Sequence, residues 1–309
     1  MFLFQSIPWS SWLVWLLILG LLMLFNEITR YNKTTAIIFF IILPIILSFF
    51  VWPKTSGVGT GSQTANWFAW AKVYSALAGC YIGMWLRFSK KMQDGTAPKW
   101  YYVFPPAILG INILEAVFRE IQVMGMQGTI DGMFYMGGPW NAMNAIAGIL
   151  NLVTMCGWFG IIITKDKRHT LVWPDMMWFW IIAYDLWNFA YVYNCLTDRS
   201  FYSMALLLSC TIPAFTIKKG AWAQHRVHTL ALYMMLMLTI PNFFVQSKYA
   251  IASTHSATAY YTVSIIALAV NLMVFAYQIY IAVKKKKNVL KDELYQDSVQ
   301  YKNLINENM

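Results

Sequence analysis

The sequence predicts an all-α membrane protein, a polytopic bundle of about nine transmembrane helices with the N-terminus outside and the C-terminus in the cytoplasm. Three observations carry this prediction. The composition is 59% hydrophobic and only 12% charged, far more apolar than the roughly half expected of soluble domains. Apolar runs of bilayer length recur along the chain. The basic residues are concentrated in alternate connections between those runs.

Nine apolar runs are long enough to cross a bilayer, which takes about 20 residues. In order they are Trp9 to Phe25, Thr35 to Trp52, Asn66 to Leu86, Tyr101 to Val123, Pro139 to Ile163, Val172 to Cys195, Phe201 to Ile217, Gly220 to Phe244, and Ala257 to Val283. They predict a single transmembrane domain over residues 1–283, followed by a short polar cytoplasmic tail over residues 284–309. Since no basic residue precedes the first run, we expect it to stay as a spanning helix rather than to be cleaved.

The connections between the runs orient the bundle. Alternate connections carry Arg30 and Lys33, then Arg87, Lys90, Lys91 and Lys99, then Lys165, Lys167 and Arg168, then Lys218 and Lys219, then Lys284 to Lys287. The intervening connections carry little beyond Lys54, Arg199 and Lys248. Because Lys and Arg are enriched on the cytoplasmic side, this alternation places the N-terminus outside. It also accounts for the net charge of +10, so nucleic acid is not an expected partner.

A polar stripe crosses the fourth run. Glu115 and Arg119 lie one helical turn apart, and Asn112 and Gln122 continue the same face in steps of three or four residues. Ionisable side chains at membrane depth are rare and usually face the protein interior or a wet cavity. We therefore expect a binding site here. The alternative is an ion pair between Glu115 and Arg119 that only locks helix packing.

Depth counting adds two more charged residues to the same level. At a rise of about 1.5 Å per residue, Glu115 and Asp185 each lie about 18 Å from the cytoplasmic boundary. Lys72, counted from the other side, falls near the level of Arg119. Since isolated charges are costly at a helix centre, we expect these four to pair or to line a water-filled cavity. Asp185 would be either a fixed counter-ion of Lys72 or a group that exchanges a proton near neutrality.

Other runs present matching polar faces. These are Asn144 and Asn151 in the fifth run, Tyr184, Asn188 and Tyr191 beside Asp185 in the sixth, and Ser264, Asn271 and Gln278 in the ninth. Such groups hold membrane helices together at about 0.6 to 2 kcal/mol per contact, so each alone is explained by packing. Their convergence with the charged layer favours a polar interior that contacts a solute.

The eighth run carries His225 and His228 on either side of Arg226, in the inner half of the membrane. They are candidates for an inner-side proton relay or for contact with an anionic group, and the alternative is packing with snorkelling of the cation. No second run offers the further ligands that a metal would need, so neither a metal nor another cofactor is predicted. Four scattered cysteines lack Cys-x-x-Cys spacing and are expected to act as small hydrophobes.

The sixth run has an unusual aromatic pattern, with Trp-Pro-Asp at Trp173 and Tyr-Asp-Leu-Trp-Asn-Phe-Ala-Tyr from Tyr184. This segment resembles a family of uncharacterised bacterial multi-pass membrane proteins, and the resemblance extends over most of the chain. It implies a location in the bacterial plasma membrane. Because the family has no known activity, the resemblance assigns no functional residues.

The function favoured by the sequence is a secondary transporter or permease for a small polar solute or ion, and not an enzyme. Glu115 and Asp185 would couple protons or cations, and Arg119 and Lys72 would balance charge or meet an anionic group. The asparagine faces would line the path. The expected partners are the lipid bilayer and the solute.

Two alternatives are kept. The first is an intramembrane enzyme acting on a lipid-linked substrate, with His225 or His228 as base and Asp185 in support. It is disfavoured because the sequence has no Gly-x-Ser-x-Gly, no His-Glu-x-x-His and no phosphate-binding glycine turn between a strand and a helix. The second is a non-catalytic membrane sensor or assembly subunit.

Overall fold

The computed structural model describes residues 2–130 and 132–308, which are mainly α-helical. The helices are α1 Trp9–Tyr31, α2 Lys33–Thr55, α3 Trp67–Arg87, α4 Phe104–Val123, α5 Pro139–Val153, α6 Trp178–Cys195, α7 Ser200–Thr216, α8 Trp222–Thr239, α9 Ala257–Lys285 and α10 Val299–Asn308. Within these described ranges, four helical segments are long and apolar enough to cross a membrane, namely α1, α2, α9, and α4 together with the 3-10 turn that precedes it. The prediction of a helical protein with membrane-length apolar helices is therefore confirmed.

The second helix shows how the local sequence sets the backbone. Asn32 caps α2, because its side-chain oxygen accepts a hydrogen bond from the Thr35 N–H at 2.8 Å. Two π-helical segments, Ile38–Ile42 and Leu47–Val51, flank Pro44. Proline has no N–H to donate within a helix, and wider helical turns are one way in which the backbone accommodates it. The helix thus continues through Pro44.

The fifth helix is shorter than the apolar run predicted. It ends at Val153 instead of reaching Ile163. The chain then turns through Gly157, whose φ of +63° lies in the left-handed region that favours glycine. The apolar residues that follow do not extend the helix, and they join a small hairpin.

The sixth helix also begins later than predicted, at Trp178 rather than Val172. Pro174 disfavours helical backbone at the preceding Trp173, and Val172 belongs to a strand. The strands are β1 Gln127–Ile130 paired antiparallel with β2 Met133–Met136, and β3 Ile162–Ile163 paired antiparallel with β4 Leu171–Val172. Hydrophobicity alone overestimated the length of both helices, because a buried hairpin requires the same apolar residues as a membrane-spanning helix.

The contacts between helices define the arrangement of the bundle. Helix α8 packs against α3, α7 and α1, whereas α6 packs against α5, α7 and α9, and α4 packs against α3 and α5. The tail folds back on this bundle, since both oxygens of Asp175 accept backbone N–H groups, from Leu294 at 2.6 Å and from Tyr295 at 3.0 Å. The hairpin β1–β2 lies over the end of α4 and contacts it through Tyr135.

The crossing of α3 and α8 depends on Gly79. A Cβ atom added there would lie 2.5 Å from Val227 Cγ2 and 3.3 Å from Ile108 Cγ1. Small residues allow membrane helices to approach this closely. We expect Gly79→Val to lower the free energy of unfolding by about 1–3 kcal/mol, through overpacking, measured as a lower Tm in detergent. Gly20→Val, with no atom within 4 Å, is the control, and equal losses in both variants would contradict the prediction.

Candidate functional site

Two cavities of about 60 Å³ each lie in succession along α3 and α8. The Lys72 cavity is lined by Gln63, Asn66, Phe68, Ala69, Lys72, Met133, Asn188, Tyr191, Val192, Leu196, Arg199, Ser203, Leu206, Arg226, Leu230, Tyr233, Met234 and Met237. The Gly79 cavity is lined by Gly79, Ile82, Gly83, Leu86, Pro105, Ile108, Leu109, Asn112, Leu171, Tyr184, Ala223, Gln224, Arg226, Val227 and Leu230. Arg226 and Leu230 line both cavities, so these two side chains form the partition between them.

Arg226 is the charged member of this partition. Its Nε donates to the Tyr184 hydroxyl at 3.2 Å and its Nη2 donates to Asn188 Oδ1 at 3.3 Å. The residue is 4% exposed, and within residues 2–130 and 132–308 its Nη1 has no hydrogen-bond partner. None of the ion pairs in that part of the chain includes it. The partition therefore holds a buried cation with unused hydrogen-bonding capacity.

Lys72 and Glu115 form an ion pair beside this partition. Lys72 Nζ lies 3.0 Å from Glu115 Oε2 and also donates to the Asn112 carbonyl at 2.9 Å. Ser75 Oγ donates to the same carboxylate oxygen at 3.2 Å. The pair joins α3 to α4, and it links two residues that the sequence placed at one level while naming Arg119 and Asp185 as their partners.

Arg119 turns away from Glu115. Its Nη1 donates to Gln122 Oε1 and its Nη2 donates to the Tyr135 hydroxyl, both at 2.6 Å. The guanidinium also lies over the rings of Phe68 and Tyr135, at 5.8 and 5.3 Å from their centroids. The intrahelical ion pair considered as an alternative is therefore wrong. The reason is tertiary, because the β2 strand brings an aromatic hydroxyl within reach of the cation.

Asp185 does not join the charged layer. Its Oδ2 accepts a hydrogen bond from Thr211 Oγ1 of α7 at 2.6 Å, and Lys72 is paired with Glu115 instead. Successive residues of a helix point about 100° apart, so Asp185 faces α7 while Tyr184 faces α8. Asp185 lines neither cavity. The expected cluster of two cations and two anions is thus wrong as a single cluster.

Glu120 is a buried acid that the polar stripe of α4 does not include. It is 0% exposed, and its carboxylate accepts hydrogen bonds from Asn141 at 2.6 Å, Asn144 at 2.6 Å and Asn194 at 3.3 Å. Asn194 also donates to Ser264 Oγ at 3.0 Å. We call these three amides the asparagine cage. The cage satisfies the carboxylate with neutral donors, and in the part of the chain described above Glu120 forms no ion pair.

One sequence signal pointed to this cage. Glu120 is a second acid in the apolar run of α4, and Asn141 lies one turn before Asn144 on the same face. Asn151, which was expected to continue the polar face of Asn144 along the solute path, donates to the Ala147 carbonyl of its own helix, at 3.4 Å. Linking the acid to the amides required the knowledge that α4 packs against α5 and α6.

The two histidines face away from Arg226. His225 Nδ1 lies 2.7 Å from Asn26 Nδ2, and His228 Nδ1 lies 3.3 Å from Thr29 Oγ1, so both rings are sealed against α1. Arg226 points to α6 on the opposite side. The expected inner-side relay is therefore not one cluster. Across residues 2–130 and 132–308, no three His, Cys, Asp or Glu side chains are grouped so that they could hold a metal ion.

Comparisons with known proteins agree with the resemblance seen in the sixth run. A protein-family model matches residues 5–307, and its description is that of a family of unknown function. No curated protein and no solved structure matches the chain. The resemblance to an uncharacterised family is confirmed, and any statement about activity has to start from the geometry described above.

Proposed function

Since the chain belongs to DUF5692, a family of unknown function, we propose a function from its own geometry: a multi-pass membrane transporter or permease for a small polar solute. The observation that carries this proposal is the pair of cavities that meet at Arg226 and Leu230. Cavities in succession along two helices, parted by one layer of side chains, have the form of a pathway closed at its centre. Binding near the middle of a helical bundle is typical of secondary transporters.

The orientation of this pathway follows from a finer proposal about topology. We propose that α1 to α9 are nine membrane crossings, with the N-terminus outside, in a bacterial plasma membrane. The alternation of basic connections supports it. The 15 residues of α5 span only about 23 Å at about 1.5 Å per residue, and the hairpins at both of its ends supplement it. The Lys72 cavity then lies in the outer half and the Gly79 cavity in the cytoplasmic half.

The partition is suited to open and close. The two hydrogen bonds that hold Arg226, at 3.2 and 3.3 Å, are at the long end of the usual range and are weak. A polar group of the solute replaces Tyr184 and Asn188 as the acceptor for the guanidinium. The ion pair of Glu115 with Lys72 breaks as the pathway opens, which couples movement of the solute to this carboxylate. Small relative shifts of α3 and α8 then expose one cavity or the other.

Transport is preferred to the enzyme alternative because of where the histidines lie. His225 and His228 are fully buried against α1 and line neither cavity, so a lipid-linked substrate in either cavity does not reach them. Asp185, the expected supporting acid, is held by Thr211 on another face. Nothing in the geometry specifically favours a sensor or assembly subunit.

The test is uptake into proteoliposomes that contain the purified chain, with small carboxylates, sugars, amino acids and amines as solutes, with and without a pH gradient. We expect uptake of at least one solute class above protein-free vesicles. Leu230→Trp fills the partition and is expected to reduce that uptake at least about tenfold, a barrier increase of about 1.4 kcal/mol.

Leu13→Trp is the matched control, because Leu13 is exposed on α1 and distant in sequence from the partition. Its uptake is expected to equal that of the wild type. Folded protein that moves none of the four solute classes would contradict the proposal. Equal uptake by the Leu230→Trp variant would contradict the assigned pathway.

A further inference from the structure

Among the residues that the structure describes, the charged side chains that line the two cavities are all basic. Lys72, Arg199 and Arg226 line the Lys72 cavity, and Arg226 represents charge in the Gly79 cavity. Within residues 2–130 and 132–308, neither lining includes an Asp or a Glu. A cleft lined by one sign of charge within low-dielectric walls concentrates ions of the opposite sign. The charge of the lining thus selects against cations.

Two of these cations have N–H groups that are not used by the protein. Arg199 is 4% exposed, and its Nη2 donates to Gln63 Oε1 at a long 3.3 Å. In the part of the chain that the structure describes, neither Arg199 Nε nor Arg226 Nη1 has a partner. Lys72 differs, since Glu115 neutralises it. Neither guanidinium forms an ion pair in the described part of the chain, although the Asp185 carboxylate stabilises Arg226 from a longer distance. A bound oxyanion would lower the remaining cost of burying these charges.

One part of the wall of the Lys72 cavity is apolar, while Gln63, Asn66, Asn188, Tyr191, Ser203 and Tyr233 make the remainder polar. Its wall includes Phe68, Leu206, Leu230, Met234 and Met237, which offer no hydrogen bond to a polar body. A solute that fits needs one anionic end and a short hydrocarbon end. Inorganic phosphate matches the charge but leaves this wall facing a strongly hydrated ion. Methionine side chains adapt readily to aliphatic or aromatic groups of varied shape.

We propose that the Lys72 cavity binds a small organic carboxylate, with its carboxylate on Arg226 and its hydrocarbon part against the apolar wall. Arg199 adds positive potential to the same cavity. An arginine guanidinium holds a carboxylate through two parallel hydrogen bonds, which Nη1 of Arg226 and a neighbouring N–H are able to supply. The assignment rests on the proposed function in one respect, because it names the solute that the permease would carry.

Binding is tested on the full-length protein in detergent by isothermal titration with sodium butyrate and sodium benzoate. The comparison compounds are butyramide, butylammonium chloride and sodium phosphate. We expect the carboxylates to bind at least about tenfold more tightly than all three, since only they satisfy both the guanidinium and the apolar wall. Butyramide or butylammonium binding as tightly as butyrate would overturn the proposal. Tighter binding of phosphate would overturn the assignment to an organic carboxylate.

Variants locate the site. Arg226→Gln is expected to weaken butyrate binding at least about tenfold, and Arg226→Lys less, because it keeps the charge and loses the fork. Lys54→Gln removes a charge from an exposed position outside both cavities and is expected to bind as the wild type does. If Arg226→Gln does not fold, the affinity of Arg199→Gln for butyrate decides, and a smaller loss of affinity is expected in that variant. Unchanged affinity in a folded Arg226→Gln variant, or in Arg199→Gln when it decides, would overturn the site.

The binding and the uptake experiments test the anion site and the proposed function independently. Butyrate binding without uptake of butyrate into proteoliposomes would remove the proposed function and keep the anion site. Uptake of a neutral sugar with no butyrate binding would remove the anion site and keep the permease.

Discussion

Glu120→Ala is expected to lower the free energy of unfolding by at least about 3 kcal/mol, because it leaves the amides of the asparagine cage without their acceptor at about 1–3 kcal/mol each. Asn141 and Asn144 each donate to the carboxylate at 2.6 Å, and the site is fully buried. Water therefore does not take over the role of the lost oxygens. The measurement is thermal unfolding of the purified protein in detergent, monitored as the loss of the monodisperse fraction.

Two further variants make this expectation specific. Glu120→Gln retains one acceptor oxygen but places a new N–H group among the donors of the cage, so an intermediate loss is expected. Glu307→Ala is the matched control, because Glu307 has a side chain 47% exposed and pairs with Lys219 at 2.9 Å, where a loss below about 1 kcal/mol is expected. If Glu120→Ala unfolds no earlier than Glu307→Ala, the cage is not a stabilising element.

Lys72→Met is expected to destabilise the protein by about 3 kcal/mol, since it leaves the Glu115 carboxylate without its cation in a largely buried place. The pair is largely buried, with 9% of the lysine side chain and 17% of the glutamate side chain exposed. Glu115→Gln alone leaves Lys72 with the Asn112 carbonyl as its main partner. The double variant removes both charges together, so it is expected to be more stable than the sum of the single losses predicts.

A double-mutant cycle measures this difference. We expect a coupling energy of about 1–3 kcal/mol between Lys72 and Glu115. The same cycle on Lys219 and Glu307, an exposed pair, is expected to return less than about 1 kcal/mol. Additive losses at positions 72 and 115 would mean that the two charges act independently. That result would also remove the proposed coupling of Glu115 to the pathway.

The candidate site was predictable to different degrees along the chain. Lys72 and Glu115 were placed at one level by counting helical rise from opposite ends, and they do pair. Arg226 was expected to act with the two histidines in a relay or in contact with an anionic group, or else to snorkel to the interface. Its partners Tyr184 and Asn188 were expected to contact a solute, and in the structure they hold the guanidinium while each also lines one of the two cavities. The pattern identified the residues better than it identified their partners.

The sequence by itself determined the helical class, the positions of the apolar helices and the rarity of the buried charges. These depend on composition and on local periodicity, because backbone groups in lipid are satisfied within each helix. Tertiary structure alone decided that Arg119 meets Tyr135, that Asp185 meets Thr211 and that Glu120 enters the asparagine cage. The ends of α5 and α6 depended on both, because Gly157 and Pro174 are local signals and the pairing of β3 with β4 is tertiary. A side chain's partner depends on which helices are neighbours and how each is rotated, and neither quantity is contained in the period of a single segment.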